Sequence, residues 1–280
     1  MWAYRPWVGR YFPSDTRPGD ELAAYARVCN SVEGNTTFYA LPEARTVARW
    51  AELAPPDFRF LFKLPRRLTH ELRLRDAEEE MRELWRRFEP LGARVGALFV
   101  QLPASFGPDQ LDILDAFLAQ LPSDRHSAVE VRHPDFSDGA DCERALNDLL
   151  HRHDADRVLL DSRALFAGPA ETREELAAFR AKPRLPVRAV ATSRHPVVRF
   201  IGQTRAEANP PFWARWVETV ARWLIDGREP YFFVHTPDNE VSPELARVFH
   251  AAVAARVPTV EALPHHDQPT MARADQSTLW

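Results

Sequence analysis

The chain alternates short apolar runs with longer stretches whose apolar residues recur every three or four positions. The first pattern reads as strand and the second as amphipathic helix. Strands are expected at 31–39, 58–63, 95–101, 128–134, 157–161, 197–202 and 231–235. Helices fall between them. Asp20 is placed to cap a helix with Leu22, Tyr25, Ala26 and Cys29 on one face. Pro42 opens a second, striped by Val47, Trp50 and Leu53. Asp76 with Glu79 resembles a capping box ahead of Met81, Leu84, Trp85 and Phe88. Further stripes follow Pro108 (Leu111, Leu114, Phe117, Leu121) and run through Leu146, Leu149 and Leu150. Pro211 opens a long helix carrying Trp213, Trp216, Val217, Val220 and Trp223, and Ser242-Pro243-Glu244 opens the last.

Seven strand–helix units are countable. A first strand near Trp2 makes eight, the number in a (β/α)8 TIM-type barrel of about 250 residues. That first strand is expected to be truncated, since only Met1 to Tyr4 are left for about five positions. A doubly wound open sheet is the rival, but it would carry a glycine-rich loop after its first strand, and neither GxGxxG nor GxxxxGK[ST] occurs. Residues 1–263 read as a single barrel domain. Residues 264–280 read as a mobile polar tail in which His265 and His266 are solvated. The rhythm breaks once, at 162–196, between the sixth and seventh strands of the eight. That insert holds a helix near 171–181 and a proline-punctuated extended stretch from Lys182 to Pro196. It reads as a lid over a site or as a packed surface excursion.

Composition narrows the picture. With 280 residues, 45% of them hydrophobic, a large core is available. A formal charge of −4 speaks against a general nucleic-acid-binding surface. Lys63 and Lys182 are the only lysines among 36 basic residues, so each lysine is worth asking about. Cys29 and Cys142 suggest neither a disulfide framework nor a metal cluster. No apolar run reaches 18 residues, and a soluble cytoplasmic protein is the expectation.

The stretch Ala128-Val129-Glu130-Val131-Arg132-His133-Pro134 carries the chemistry question. In a parallel sheet covered on both faces, charges cost several kcal/mol per ion unless paired, so they cluster where the inner face opens. Barrel chemistry sits at the C-terminal strand ends. The polar residues there are Glu33, Asn35, Lys63, Gln101, Glu130, Arg132, His133, Asp161, Arg199, His235 and Asp238. They fit a charge-paired pocket for a polar or anionic small molecule. Glu33 and Glu130 read as an acid and base pair, or as carboxylates neutralised by Arg132 or Arg199 in a structural ion network. Lys63 reads as a Schiff-base amine, a general base or an oxyanion ligand, or as a filler beside an acid. His133, Asp161, His235 and Glu130 are suitable metal-ligand types, but none of them lies in an HxH or HExxH spacing. No metal or cofactor is expected.

Several motifs occur together and in order: Val32-Glu33-Gly34-Asn35-Thr36-Thr37-Phe38-Tyr39, Phe62-Lys63-Leu64-Pro65, Thr69-His70, Gln101-Leu102-Pro103, Val129-Glu130-Val131-Arg132-His133-Pro134 and Arg199-Phe200-Ile201-Gly202. On these the chain resembles the YecE-like family of uncharacterised proteins over residues 2 to 263. The resemblance implies a TIM-type barrel and leaves the activity open. Two positions depart from it. Ile201 stands where most of the wider family has a His, which removes a catalytic role there. Met1 directly precedes the Trp that follows Gly-Thr-Ser-x in the family's first strand.

The leading functional expectation is a hydrolase or lyase acting on a small polar or anionic substrate, with Glu33, Lys63 and Glu130 catalytic. The alternatives are a nucleic-acid phosphodiesterase or repair-associated protein, and a non-catalytic ligand-binding barrel. The terminal Gln276-Ser277-Thr278-Leu279-Trp280 resembles the Gln-x-x-Leu-Phe motif that binds bacterial sliding clamps, with Trp280 in place of Phe. The competing reading folds Leu279 and Trp280 back onto the barrel. Fluorescence titration of a 270–280 peptide against a sliding clamp separates the two. The clamp reading expects binding that a Leu279→Ala/Trp280→Ala peptide loses, and equal binding by both peptides removes it.

Overall fold

A computed structural model describes residues 2–263. The tail from 264, with His265, His266 and the Gln276, Leu279, Trp280 motif, lies outside the described residues. The seven strands are β1 (Ser31–Gly34), β2 (Arg59–Lys63), β3 (Val95–Gln101), β4 (Ser127–Glu130), β5 (Asp156–Asp161), β6 (Val197–Ile201) and β7 (Tyr231–His235). They form one parallel sheet in the order β1 to β7. The helices around it are α1 (Glu21–Tyr25), α2 (Ala44–Leu53), α3 (Glu78–Phe88), α4 (Leu111–Ala119), α5 (Asp141–Arg152), α6 (Arg163–Ala167), α7 (Arg173–Ala181), α8 (Pro210–Ile225) and α9 (Ser242–Ala254). Among the described residues no helix is long and apolar enough to cross a membrane.

The sheet curls into a nearly closed barrel. Alternation along each strand sends one set of side chains outward to the helices, such as Phe60, Phe62, Leu98, Val100 and Val129. The other set, Leu61, Ala97, Phe99, Ala128, Val158, Val197 and Phe233, fills the lumen. The polar inward residues sit one layer above, at the C-terminal ends of the strands.

Trp2 to Tyr4 form no strand, so β1 and β7 remain the two ends of the sheet. Between them lies a cavity of about 450 Å³, lined by Val32, Phe232, Val234 and Phe249 among others. The chain's first segment ties the two sides together near the mouth. Trp7 Nε1 donates to the carbonyls of Asn239 and Glu240 (3.0 and 3.1 Å), and its ring stacks on Tyr25.

Several local expectations are corrected. The strand expected through Tyr39 ends at Gly34, because Thr37 Oγ1 reaches back to the carbonyls of Gly34 (3.1 Å) and Lys63 (2.5 Å) and turns the chain. Glu33, Asn35 and Thr37 therefore do not share a strand face. Asp20 does not cap α1, and its carboxylate takes Arg49 instead (3.0 Å). Neither Asp76 nor Ser242 caps its helix. A true capping box, Thr172 with Glu175, starts α7 within the insert.

Gly34 sits between two residues of the mouth, and a Cβ there would meet the Phe62 ring at 2.5 Å. Gly34→Ala is expected to destabilise by about 1–3 kcal/mol through overpacking. Urea unfolding measures it, and an unchanged midpoint would mean that Phe62 yields freely.

Candidate active site

Arg199 enters the lumen from the middle of β6, opposite Leu160 of β5 and Phe233 of β7. Its Nε and Nη2 hold both oxygens of Glu33 on β1, at 2.7 and 2.8 Å. Its Nη1 holds Glu130 Oε2 at the end of β4, at 2.7 Å. The other Glu130 oxygen takes Arg132 Nε at 2.8 Å, and Arg132 Nη2 continues to Gln101 Oε1 at 2.9 Å. His235 Nε2 faces Glu33 Oε2 at 3.3 Å. The network thus spans β1, β3, β4, β6 and β7. Planar guanidinium forks suit such bidentate pairing.

The electrostatics follow from burial and pairing. Burial alone would raise both carboxyls. Arg199 and His235 overcome this at Glu33 and hold it well below the usual carboxylate range. Arg199, Arg132 and Lys63 hold Glu130 at about 2. Burial would likewise lower Arg199, but the two carboxylates raise it. Burial lowers His235 to about 4 despite Glu33, so its imidazole is neutral at pH 7.

Lys63, at the end of β2, has a different environment. Its amine lies over the Phe38 and Phe99 rings, 5.0 and 5.4 Å from their centroids, and Arg199 also sits over Phe99 at 5.2 Å. The side chain is buried, with 9% of the residue exposed. Among the described residues its amine has no hydrogen bond or ion pair. Burial first, then Arg199, bring it down to about 8, against the pull of Glu33 and Glu130.

Four expected site residues take no part in this ion network. Asp161 points outward to the helix layer, where Trp216 Nε1 (2.8 Å) and the backbone and side chain of Arg163 hold its carboxylate. The strand alternation that puts Arg199 inside puts Asp161, one residue past Leu160, outside. His133 Nδ1 accepts from the Asp135 backbone (3.3 Å) and caps a turn. Asp238 Oδ1 accepts from Thr236 Oγ1 and the Glu240 backbone, within the loop after β7. Asn35 lines the seam cavity with Glu33 and His235, and its buried Oδ1 has no hydrogen-bond partner among the described residues. Ile201 is buried at the position of the family's His.

Three neighbours were not among the expected site residues. Lys182, from the insert, shares the electrostatic surroundings of Arg199, Glu130, Glu33 and Arg132. His70 is lowered by burial, then by Arg66, Arg132, Lys63 and Arg73, and its ring meets Phe38 edge-on at 5.2 Å. Phe38 covers Lys63. The signal for Lys182 was present in the composition, since both lysines of an arginine-rich chain reach one mouth.

These features define a parallel α/β barrel whose C-terminal mouth holds a buried ion network beside the buried amine of Lys63. The family model described as protein of unknown function DUF72 matches residues 1–271, and the chain belongs to that family. It is 39% identical to the UPF0759 protein YecE of Escherichia coli (strain K12) over 264 residues, 94% of each chain. Solved structures share the fold. A DUF72 family protein from Thermotoga maritima MSB8 aligns with TM-score 0.64 at 23% identity, covering 92% of this chain and 96% of that one. One from Enterococcus faecalis V583 gives 0.64 at 19%, covering 85% and 94%.

Lys63 carries a sign-specific test. Its folded pKa of about 8 lies below the ordinary 10.5, so below pH 8 the folded state bears the cost of a buried ammonium. That cost disappears as pH rises from about 8 to 10.5. Lys63→Met is expected to be more stable than wild type at pH 7, by on the order of 1–3 kcal/mol, with the advantage shrinking toward pH 10.5. Denaturant titrations at both pH values measure it. A Met variant destabilised at pH 7 would make Lys63 a structural partner of the carboxylates.

Proposed function

We propose that the chain is an enzyme acting on a small anionic substrate by proton transfer at the C-terminal mouth of the barrel. One observation carries this: beside the paired charges, the strand-end amine of Lys63 is buried over two aromatic rings, has no hydrogen bond or ion pair among the described residues, and is lowered to about 8. Such a group exchanges protons near neutral pH. Perturbed groups of this kind cluster at functional sites. In this reading Lys63 is the general base, and Arg132, whose side chain is 22% exposed, steers the anion. Glu33 and Glu130 stay ionised and hold Arg199, and so fix the geometry rather than carry the proton. Neutral His235 is the candidate acid–base partner beside Glu33. Abstraction of a proton next to a carboxylate, as in a lyase, matches one base and one anion clamp. We also propose the (β/α)8 form of the barrel, supported by the seam of about 450 Å³ between β1 and β7, the two strands that end the sheet.

Native mass spectrometry of the purified protein tests the reading by identifying the small anion it retains. Turnover of that compound is expected to rise as pH approaches about 8, where Lys63 begins to be the free amine, and to vanish in Lys63→Met. A retained ligand that is never turned over would make the chain a binding barrel.

A further inference from the structure

Lys182 is unused in the reading above. After α7 the chain runs extended as a strap over the barrel end. Ser162, which directly follows the end of β5, donates its Oγ to the Pro183 carbonyl at 2.8 Å. The Arg184 guanidinium lies 4.2 Å from the Phe166 ring centroid. Arg188 Nη1 holds the Ser137 carbonyl beyond β4 (2.8 Å) and Glu143 of α5 (2.9 Å). These anchors hold residue 182 beside the segment that leaves the C-terminal end of β5.

The charged groups near enough to act electrostatically on its amine are Arg199 of β6, Glu130 of β4, Glu33 of β1, Arg132 and His235 of β7. Those within the same reach of Lys63 are Arg199, Glu33, Glu130, Arg132 and His70. The two sets are nearly the same, so both lysines lie within electrostatic reach of one ion network. Neither amine has a hydrogen bond or ion pair among the described residues. Arg199 is occupied by Glu33 and Glu130, and Arg132 by Glu130 and Gln101. The mouth therefore holds four cationic side chains against two carboxylates.

We propose that Lys63 and Lys182 together bind a doubly charged small anion, of the phosphate-monoester or dicarboxylate type, with the strap supplying the second charge. The proposal rests on the mouth being the ligand site, as in the function above. Two unneutralised ammonium groups in a shielded space are costly, and a dianion satisfies both. Arg side chains would keep their charge at any pH, whereas burial lowers each lysine to about 8. Binding is thereby linked to two protons.

Calorimetry with inorganic phosphate and with succinate tests this and separates the two anion types. At least one probe is expected to bind the wild type at about pH 7 and to weaken about tenfold or more by about pH 9.5, as the amines lose charge. Lys182→Met is expected to weaken binding about 10–100-fold, and Lys182→Arg to keep it and to retain more of it at high pH. Because the chain has two lysines, amine labelling read by peptide mass spectrometry reports each directly. The bound probe is expected to protect both. The proposal is overturned if neither probe binds, if Lys182→Met binds as wild type, or if the bound probe leaves Lys182 labelling unchanged. Dianion binding without turnover of any retained compound would sink the proton-transfer reading and leave this one standing.

Discussion

One buried guanidinium organises the mouth of this barrel. Arg199 donates three hydrogen bonds to two carboxylates that arrive from β1 and β4 on different sides of the lumen. A carboxylate in that position without a partner would be costly by several kcal/mol. The three groups are therefore held as a unit, and the strand ends are held with them. The pairing has a chemical consequence as well. It fixes Glu33 and Glu130 in their ionised forms and leaves them no role in donating protons at neutral pH. Titration near neutrality passes instead to the amines nearby.

The same network compensates for an open sheet. β1 and β7 are its two ends, with a cavity between them. Glu33 of β1 is bonded to Arg199 of β6 and lies 3.3 Å from His235 of β7. Side-chain charges thus connect across the lumen what backbone hydrogen bonds do not connect around it. Trp7 adds a second tie outside, to the loop after β7. The geometry of the mouth depends on these bridges rather than on a continuous hydrogen-bonded wall.

Much of this was legible in the sequence. Periodicity located all seven strands, because a sheet buried on both faces needs continuous apolar runs and its covering helices need stripes. Charges interrupting those runs marked Glu33, Lys63, Glu130, Arg132 and Arg199, and the structure brings these five together. Three kinds of information were hidden. Facing was misjudged for Asp161, where a single residue decides between lumen and helix layer. Turn chemistry was missed at Thr37, whose hydroxyl ends β1 early through a contact with a residue 26 positions away. Side-chain caps were assigned from residue type at Asp20 and Asp76, whereas capping depends on local backbone angles. Composition singled out Lys182, but periodicity could not place it, because a strap with no periodic pattern delivers it.

The central claim is that the mouth's proton-active groups are its amines. Selective ¹³C labelling of lysine gives two resonances in a chain with two lysines, so an NMR pH titration reads both groups in the intact protein. The account predicts that both titrate near pH 8. Two lysines titrating near the ordinary 10.5 would contradict it.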